Sequence, residues 1–336
     1  MLDLRKRISW VDIGKYISIM FILMIHLDSN TKILEALYSP FCINLFLFLA
    51  GYVYKQPSSF TTHVKKKIRG LFIPWLVLSN INILMSAIFS FTANRDIKSE
   101  FVMNLLQIRE RGDGIWFVAA LFVAFIPFYL INKIKDKKTR LLIFAIIAII
   151  CEVYILFFPQ DFFPWGNNAL PWHIEYIGHA MFWMAMGYYF KNEWEEIIDR
   201  HNTVKFRIII GMVYLLTVYF TYHSGSWLTN LLFNYASRFA GIIFVVSLCK
   251  VMRSNRYISY VGANTLVYFA FHGKVYTVIQ KALETKCGHF YNLCLSNTLT
   301  SGMVAILIAF MMSIILIIPA YIINRWLPWM IGRTAD

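Results

Sequence analysis

The sequence predicts an all-α fold: a polytopic transmembrane helical bundle of about ten spans, both termini cytosolic, forming a single domain over residues 1–336. Of the 336 residues, 59% are hydrophobic and only 15% are charged, whereas soluble domains carry about a quarter charged residues. Apolar runs long enough to cross a bilayer recur along the whole length. They are continuous rather than alternating, which excludes a β-barrel. The longest polar stretches run to about twenty residues, too short for an independent soluble core.

The spans fall at about 9–28, 33–54, 71–91, 115–132, 141–158, 173–190, 206–222, 228–250, 257–279 and 298–323. With the N-terminus inside, 22 of the 32 Lys and Arg residues lie in cytosolic segments, seven in outer segments and three within spans. That threefold bias is the positive-inside signature. It also accounts for the net charge of +14, together with attraction to anionic membrane lipids, so no nucleic-acid partner is implied.

Arg5, Lys6 and Arg7 before an apolar run are also how a signal peptide begins. The residues after the run, His26-Leu27-Asp28-Ser29-Asn30, offer no small-residue cleavage site. The segment is read as an uncleaved first span. Within it His26 stands eleven residues after Lys15, about 1100° of helix rotation, so the two share a face with about 16 Å of rise between them. A cation and an imidazole in one apolar helix mark a functional site. The structural alternative is a hydrogen-bonded core histidine with the lysine snorkelling to the surface.

Ahead of span three stands His63-Val64-Lys65-Lys66-Lys67-Ile68-Arg69-Gly70. Such a run is either a topology anchor or a seat for a phosphate-bearing anion. Glu152 lies mid-span five, and Glu175 and His179 near the outer start of span six. His272 lies in the outer half of span nine. His26, His179 and His272 at similar depth suggest a polar cavity open to the outside, where histidine suits proton transfer. Arg238, in Asn234-Tyr235-Ala236-Ser237-Arg238, lies mid-membrane and requires an interior partner, with Glu152 a candidate. The aromatic and prolyl stretch from Phe158 to Trp172 reads as an interfacial belt or a lid. Five cysteines show no metal-ligand spacing, and no metal is implied. Cys287 and Cys294, in an outer loop, are close enough in sequence for a disulfide if that side is oxidising.

Together these landmarks resemble the acyltransferase-3 family of bacterial integral-membrane acyltransferases. Asp12-Ile13-Gly14-Lys15 with His26 is similar to its first-helix signature. Phe41-Cys42-Ile43-Asn44-Leu45-Phe46-Leu47-Phe48-Leu49-Ala50-Gly51-Tyr52 is similar to its aromatic second span. Lys66-Lys67-Ile68-Arg69 with Ile73-Pro74-Trp75 is similar to its basic loop. Gly114-Ile115-Trp116-Phe117 and Val261-Gly262 through His272 match later landmarks. Many members have Arg where this chain has Lys15, and Arg-x-x-Arg where it has Lys66-x-x-Arg69. Lysine keeps the charge but loses the bidentate fork.

The resemblance implies O-acylation of a surface polysaccharide or lipid-linked saccharide acceptor, with acetyl-CoA as the acyl-donor substrate and no permanently bound cofactor. It implies a bacterial inner-membrane location, and transfer without the fused extracellular domain that some relatives carry. On this reading His26 is catalytic, either as general base or as acyl carrier. Lys15, Lys66, Arg69 and Arg238 hold the donor. Trp116, His272, Glu175 and His179 bind the acceptor. Asp28 orients the imidazole only if the helix ends near His26. The rival class is a flippase or secondary transporter of a lipid-linked saccharide, which would more often show internal repeats or broken helices than this chain does. A polysaccharide polymerase would carry a larger outer loop.

Overall fold

A computed structural model of the chain describes residues 7–27, 32–89, 96–110 and 114–333. Every regular element among them is helical. In chain order these are α1 (Ser9–Ile25), α2 (Lys32–Tyr52), α3 (Phe60–Lys67), α4 (Ile73–Phe89) and α5 (Ile97–Leu106). Then come α6 (Trp116–Ile131), α7 (Lys137–Phe157), α8 (Ile177–Tyr189), α9 (Glu195–His201) and α10 (Val204–Tyr222). The chain closes with α11 (Trp227–Val251), α12 (Arg256–Ala263), α13 (Thr265–Leu295), α14 (Thr298–Ile315) and α15 (Ile317–Trp326). Among the described residues, six stretches are long and apolar enough to cross a membrane: Leu34–Tyr52, Phe60–Ile88, Lys137–Phe157, Val204–Tyr222, Trp227–Val251 and Thr298–Trp326. Of the four other expected spans, three overlap α1, α6 and α8, and the fourth, 257–279, covers α12 and the first half of α13.

The chain forms two compact units, one of Met1–Leu49 with Tyr189–Ala320, the other of Ala50–Tyr188 with Tyr321–Asp336. In the first, α1 packs against α11, α12, α13 and α14, burying Val11, Ile13, Ile19, Ile22 and Leu23. The approach of α12 is close enough that a Cβ at Gly262 would lie 2.3 Å from the carbonyl oxygen of Asp12. At the other end of α11, Lys250 reaches Glu195 at 2.7 Å and Asp199 at 2.8 Å, and its ammonium lies 5.1 Å from the centre of the Trp10 ring.

In the second unit α3 runs through one π-helical turn, Ile68–Phe72, into α4. The Ile73 N–H donates five residues back, to the Ile68 carbonyl. Pro74 comes next. It has no N–H, and in regular α-helix its ring would press on the carbonyl four residues behind, so a widened turn ahead of it relieves both problems.

Two sequence expectations change. Residues 280–295, expected as outer loop, are the last part of α13, interrupted only at Cys287 (φ −136°, ψ 26°). Good helix formers at 282–284 extend it, and Gln280 bonds Glu284 one turn on at 3.0 Å. Cys287 and Cys294 are therefore seven helical residues apart, about 10 Å of rise, beyond the reach of a disulfide. Both thiols are free. The sixth span, expected from 173, begins as helix at Ile177. A 3₁₀ turn, Pro171–Tyr176, precedes it, with Trp172 (φ 61°) and His173 (φ 53°) both in left-handed backbone.

Candidate functional site

In the first unit the site is built on α1. Asp12 lies in its first turn, where a carboxylate complements the positive end of the helix dipole. Arg7 forks onto it, with Nε at 2.7 Å and one terminal nitrogen at 2.5 Å. Lys15 stands one turn further along, half-buried, and forms no hydrogen bond or ion pair among the described residues. The helix stops at Ile25, and His26 is its C-cap residue (φ −89°, ψ 11°). His26 is thus not deep in a helix but exposed at the end of one. This meets the condition under which Asp28 would orient the imidazole, although Asp28 itself lies outside the described residues.

The partner at that end is His272. The two imidazole centroids are 4.7 Å apart, with the rings tilted by 39°. His272 is buried in α13, and its Nδ1 lies 2.8 Å from the Phe269 carbonyl. A carbonyl only accepts, so Nδ1 carries a proton. The residue expected to contact the acceptor therefore also touches the catalytic candidate. Arg238 sits in α11, its guanidinium 5.1 Å from the centre of the Tyr235 ring one turn earlier.

The second unit holds two clusters. In the first, Lys66 and Arg69 are exposed, as a docking role for phosphate requires. Lys67 between them is not. Its ammonium lies 3.1 Å from the centre of the Phe125 ring, a cation–π contact. His63, buried one turn earlier, reaches the Phe125 carbonyl through Nε2 at 2.9 Å and stacks on Tyr129 at 4.7 Å. The Arg-x-x-Arg-like spacing selects Lys66 and Arg69 and passes over Lys67. Its place in the lysine run was the one available signal.

The second cluster gathers Trp116, Glu175 and His179. Trp116 begins α6 with its ring 5.3 Å from His173 and 5.3 Å from Tyr176. Glu175 is buried and accepts the Leu170 N–H at 3.0 Å. His179 meets the Glu152 carboxylate at 3.3 Å and packs 4.8 Å from Tyr176. Arg109 braces the preceding loop, donating to Asn168 at 2.8 Å while its carbonyl accepts from Asn167 at 2.9 Å. The sequence alone did not mark His173 and Tyr176. Their place beside Trp116 depends on the left-handed turn, for which Pro171 is the only local cue.

A protein-family model described as an acyltransferase domain matches residues 8–324 of the chain. No curated protein and no solved structure matches it.

Proposed function

Since the chain belongs to the acyltransferase-3 family, we propose that this membrane acyltransferase moves an acetyl or other short acyl group from cytosolic acetyl-CoA to a hydroxyl of a surface-polysaccharide or lipid-linked saccharide. Its place is the bacterial cytoplasmic membrane. The observation that carries the reading is the His26–His272 pair at the open end of α1. An exposed imidazole, backed by a second imidazole whose Nδ1 is already engaged, is positioned to take a proton from an incoming hydroxyl.

In the reaction a His26 ring nitrogen accepts the proton of the acceptor hydroxyl as its oxygen attacks the thioester carbonyl. The C–S bond breaks, the imidazolium returns the proton to the departing thiolate, and the products are the acyl ester and free CoA. If His26 attacks instead, its nitrogen bonds the acyl carbon as the C–S bond breaks, CoA leaves as the thiol with the proton that the imidazole gives up, and the acceptor oxygen then displaces the imidazole, which takes the hydroxyl proton. Label from acetyl-CoA trapped on the protein without acceptor distinguishes the second route from the first. Trp116, with Tyr176 beside it, offers aromatic faces on which a sugar ring stacks, and Glu175 and His179 lie in the same cluster. Lys66 and Arg69 engage the CoA phosphates, and Lys15 supplies a further cation on the helix that ends at His26. The family match favours acyl transfer over the flippase or transporter reading.

The deciding experiment is CoA release from acetyl-CoA by the purified protein across a panel of saccharide acceptors. Acceptor-dependent release is expected. No release with any acyl donor or acceptor overturns the reading. The double variant Lys66→Gln/Arg69→Gln is expected to raise KM for acetyl-CoA about tenfold or more with kcat little changed, because two exposed charge-assisted contacts are lost without touching the reacting atoms. Steady-state kinetics checks this. Because both cations are exposed, the wild-type KM should also rise with salt, and the variant's much less.

A further inference from the structure

A groove of about 590 Å³ opens in the first unit, and none of the residues assigned above to catalysis, donor or acceptor lines it. Its floor is a stripe of α1, Tyr16, Met20 and Met24, flanked by Ile17 and Phe21. Successive members of that stripe are four residues apart, so they share a helix face over about 12 Å of rise. The stripe ends two residues short of His26. Leu37 and Phe41 of α2, Tyr214 of α10, and Phe244, Val245 and Leu248 of α11 form much of the wall.

The only polar side-chain groups in this lining are two tyrosine hydroxyls. Tyr214 donates to the Leu37 carbonyl, and the Tyr16 ring packs edge-on against Tyr257 at 5.8 Å. The groove therefore offers a ligand at most the single hydroxyl of Tyr16. The pantetheine arm of CoA carries two amides, which are costly to bury unpaired, and a hydrocarbon chain carries none. Two of the floor residues, Met20 and Met24, are flexible side chains of the kind that adapt to an irregular chain.

A cation stands on the same stripe of α11. Arg238 precedes the groove-lining Val245 by seven residues, which brings the two within about 20° of one helix face. Gly241, between them, faces Tyr214 and Phe41 of the wall. An apolar trough with a guanidinium beyond its end is the charge pattern of a long-chain lipid phosphate. On the positive-inside orientation, His26 lies toward the outer face, and Arg238, midway along α11, lies outward of the groove-lining Phe244, Val245 and Leu248.

We propose that this groove holds the hydrocarbon chain of the acceptor's own lipid carrier, a long-chain lipid phosphate bearing the saccharide, with Arg238 on the phosphate. Arg238, given to the donor on sequence grounds, thereby passes to the acceptor. The proposal rests on the acyltransferase reading, which brings the reacting hydroxyl to His26. The chain then descends along α1 from the level at which transfer occurs.

The test is retention of a polyprenyl phosphate by the purified full-length protein in mixed micelles, with phosphatidylglycerol and unphosphorylated polyprenol as comparison lipids, read by native mass spectrometry. Wild type is expected to retain the polyprenyl phosphate at least tenfold over phosphatidylglycerol. Met20→Trp and Leu215→Trp, both at positions that are not fully buried, should each lower retention about tenfold or more by filling the groove. Val213→Trp, on the exposed side of α10 and outside the lining, should not. Arg238→Gln should lower retention of the phosphate but not that of the polyprenol. Equal retention of phosphatidylglycerol, or indifference to both groove tryptophans, overturns the proposal. Failure of the acyltransferase reading appears separately, as absence of CoA release from wild type, and leaves the retention result legible by itself.

Discussion

Replacing His26 with alanine is expected to lower kcat for acyl transfer by about 10²–10⁴-fold, the range over which a positioned general base acts. The effect should fall on kcat. The imidazole stands at the end of α1, about 16 Å of helix rise from Lys15, so the contacts that hold the donor's phosphates stay intact and KM for acetyl-CoA should move little. Folding should survive, because the His26 side chain is exposed and makes no hydrogen bond among the described residues. Single-turnover CoA release, measured beside a thermal unfolding curve, separates the two effects. A variant that stays within tenfold of wild type would remove His26 from the chemistry and leave the family assignment standing.

Gly51→Ala is expected to cost far more stability than a single added methyl group usually does. A Cβ there would lie 1.8 Å from the Met184 carbonyl oxygen and 2.5 Å from its carbon. The neighbour is backbone, which cannot swing aside as a side chain can, so α2 and α8 would have to part. Overpacking typically costs about 1–3 kcal/mol and occasionally more, and a backbone collision belongs at or above the upper end. Thermal unfolding of the purified variant should show a midpoint lowered by several degrees or more, or no recoverable folded protein. Gly70→Ala is the internal control. Nothing lies within 4 Å of a Cβ at Gly70, and that variant should stay within about 0.5 kcal/mol of wild type, as surface substitutions do.

The membrane-length helices were legible because each is a run of apolar residues long enough to show against its flanks, whereas the short helices α3, α5 and α9 lie in segments read as loops; the family's landmarks were legible because they are local. Helix ends were harder. The propensities of Ile25 and His26 set no boundary between them, so the stop one residue before the histidine is invisible in the apolar run. The tail of α13 was misread because its composition is polar, although alanine, leucine and glutamate are good helix formers. The contact of His26 with His272 joins residues 246 positions apart, and no period in the sequence encodes such a pairing. The left-handed turn at Trp172 and His173 is a tertiary demand met against local preference. Lys67 shows the opposite case: the chemistry was visible, and only the rotation of α3 decided which of three consecutive lysines would lie on Phe125.

The π turn between α3 and α4 is a reserve of length. It holds one residue more than an α-helical turn covering the same advance, so a residue can be lost there without turning the helices on either side of it. Removing Gly70 would draw the ladder back to ordinary α pitch while leaving the Lys67 ammonium over Phe125 and Trp75 at its present azimuth. The obstacle is Pro74, whose ring would then press on the carbonyl four places behind. Paired with Pro74→Ala, the same deletion should yield one uninterrupted helix through this junction. The segment thus behaves as an expansion joint, in which the number of residues and the direction of the basic face are set independently.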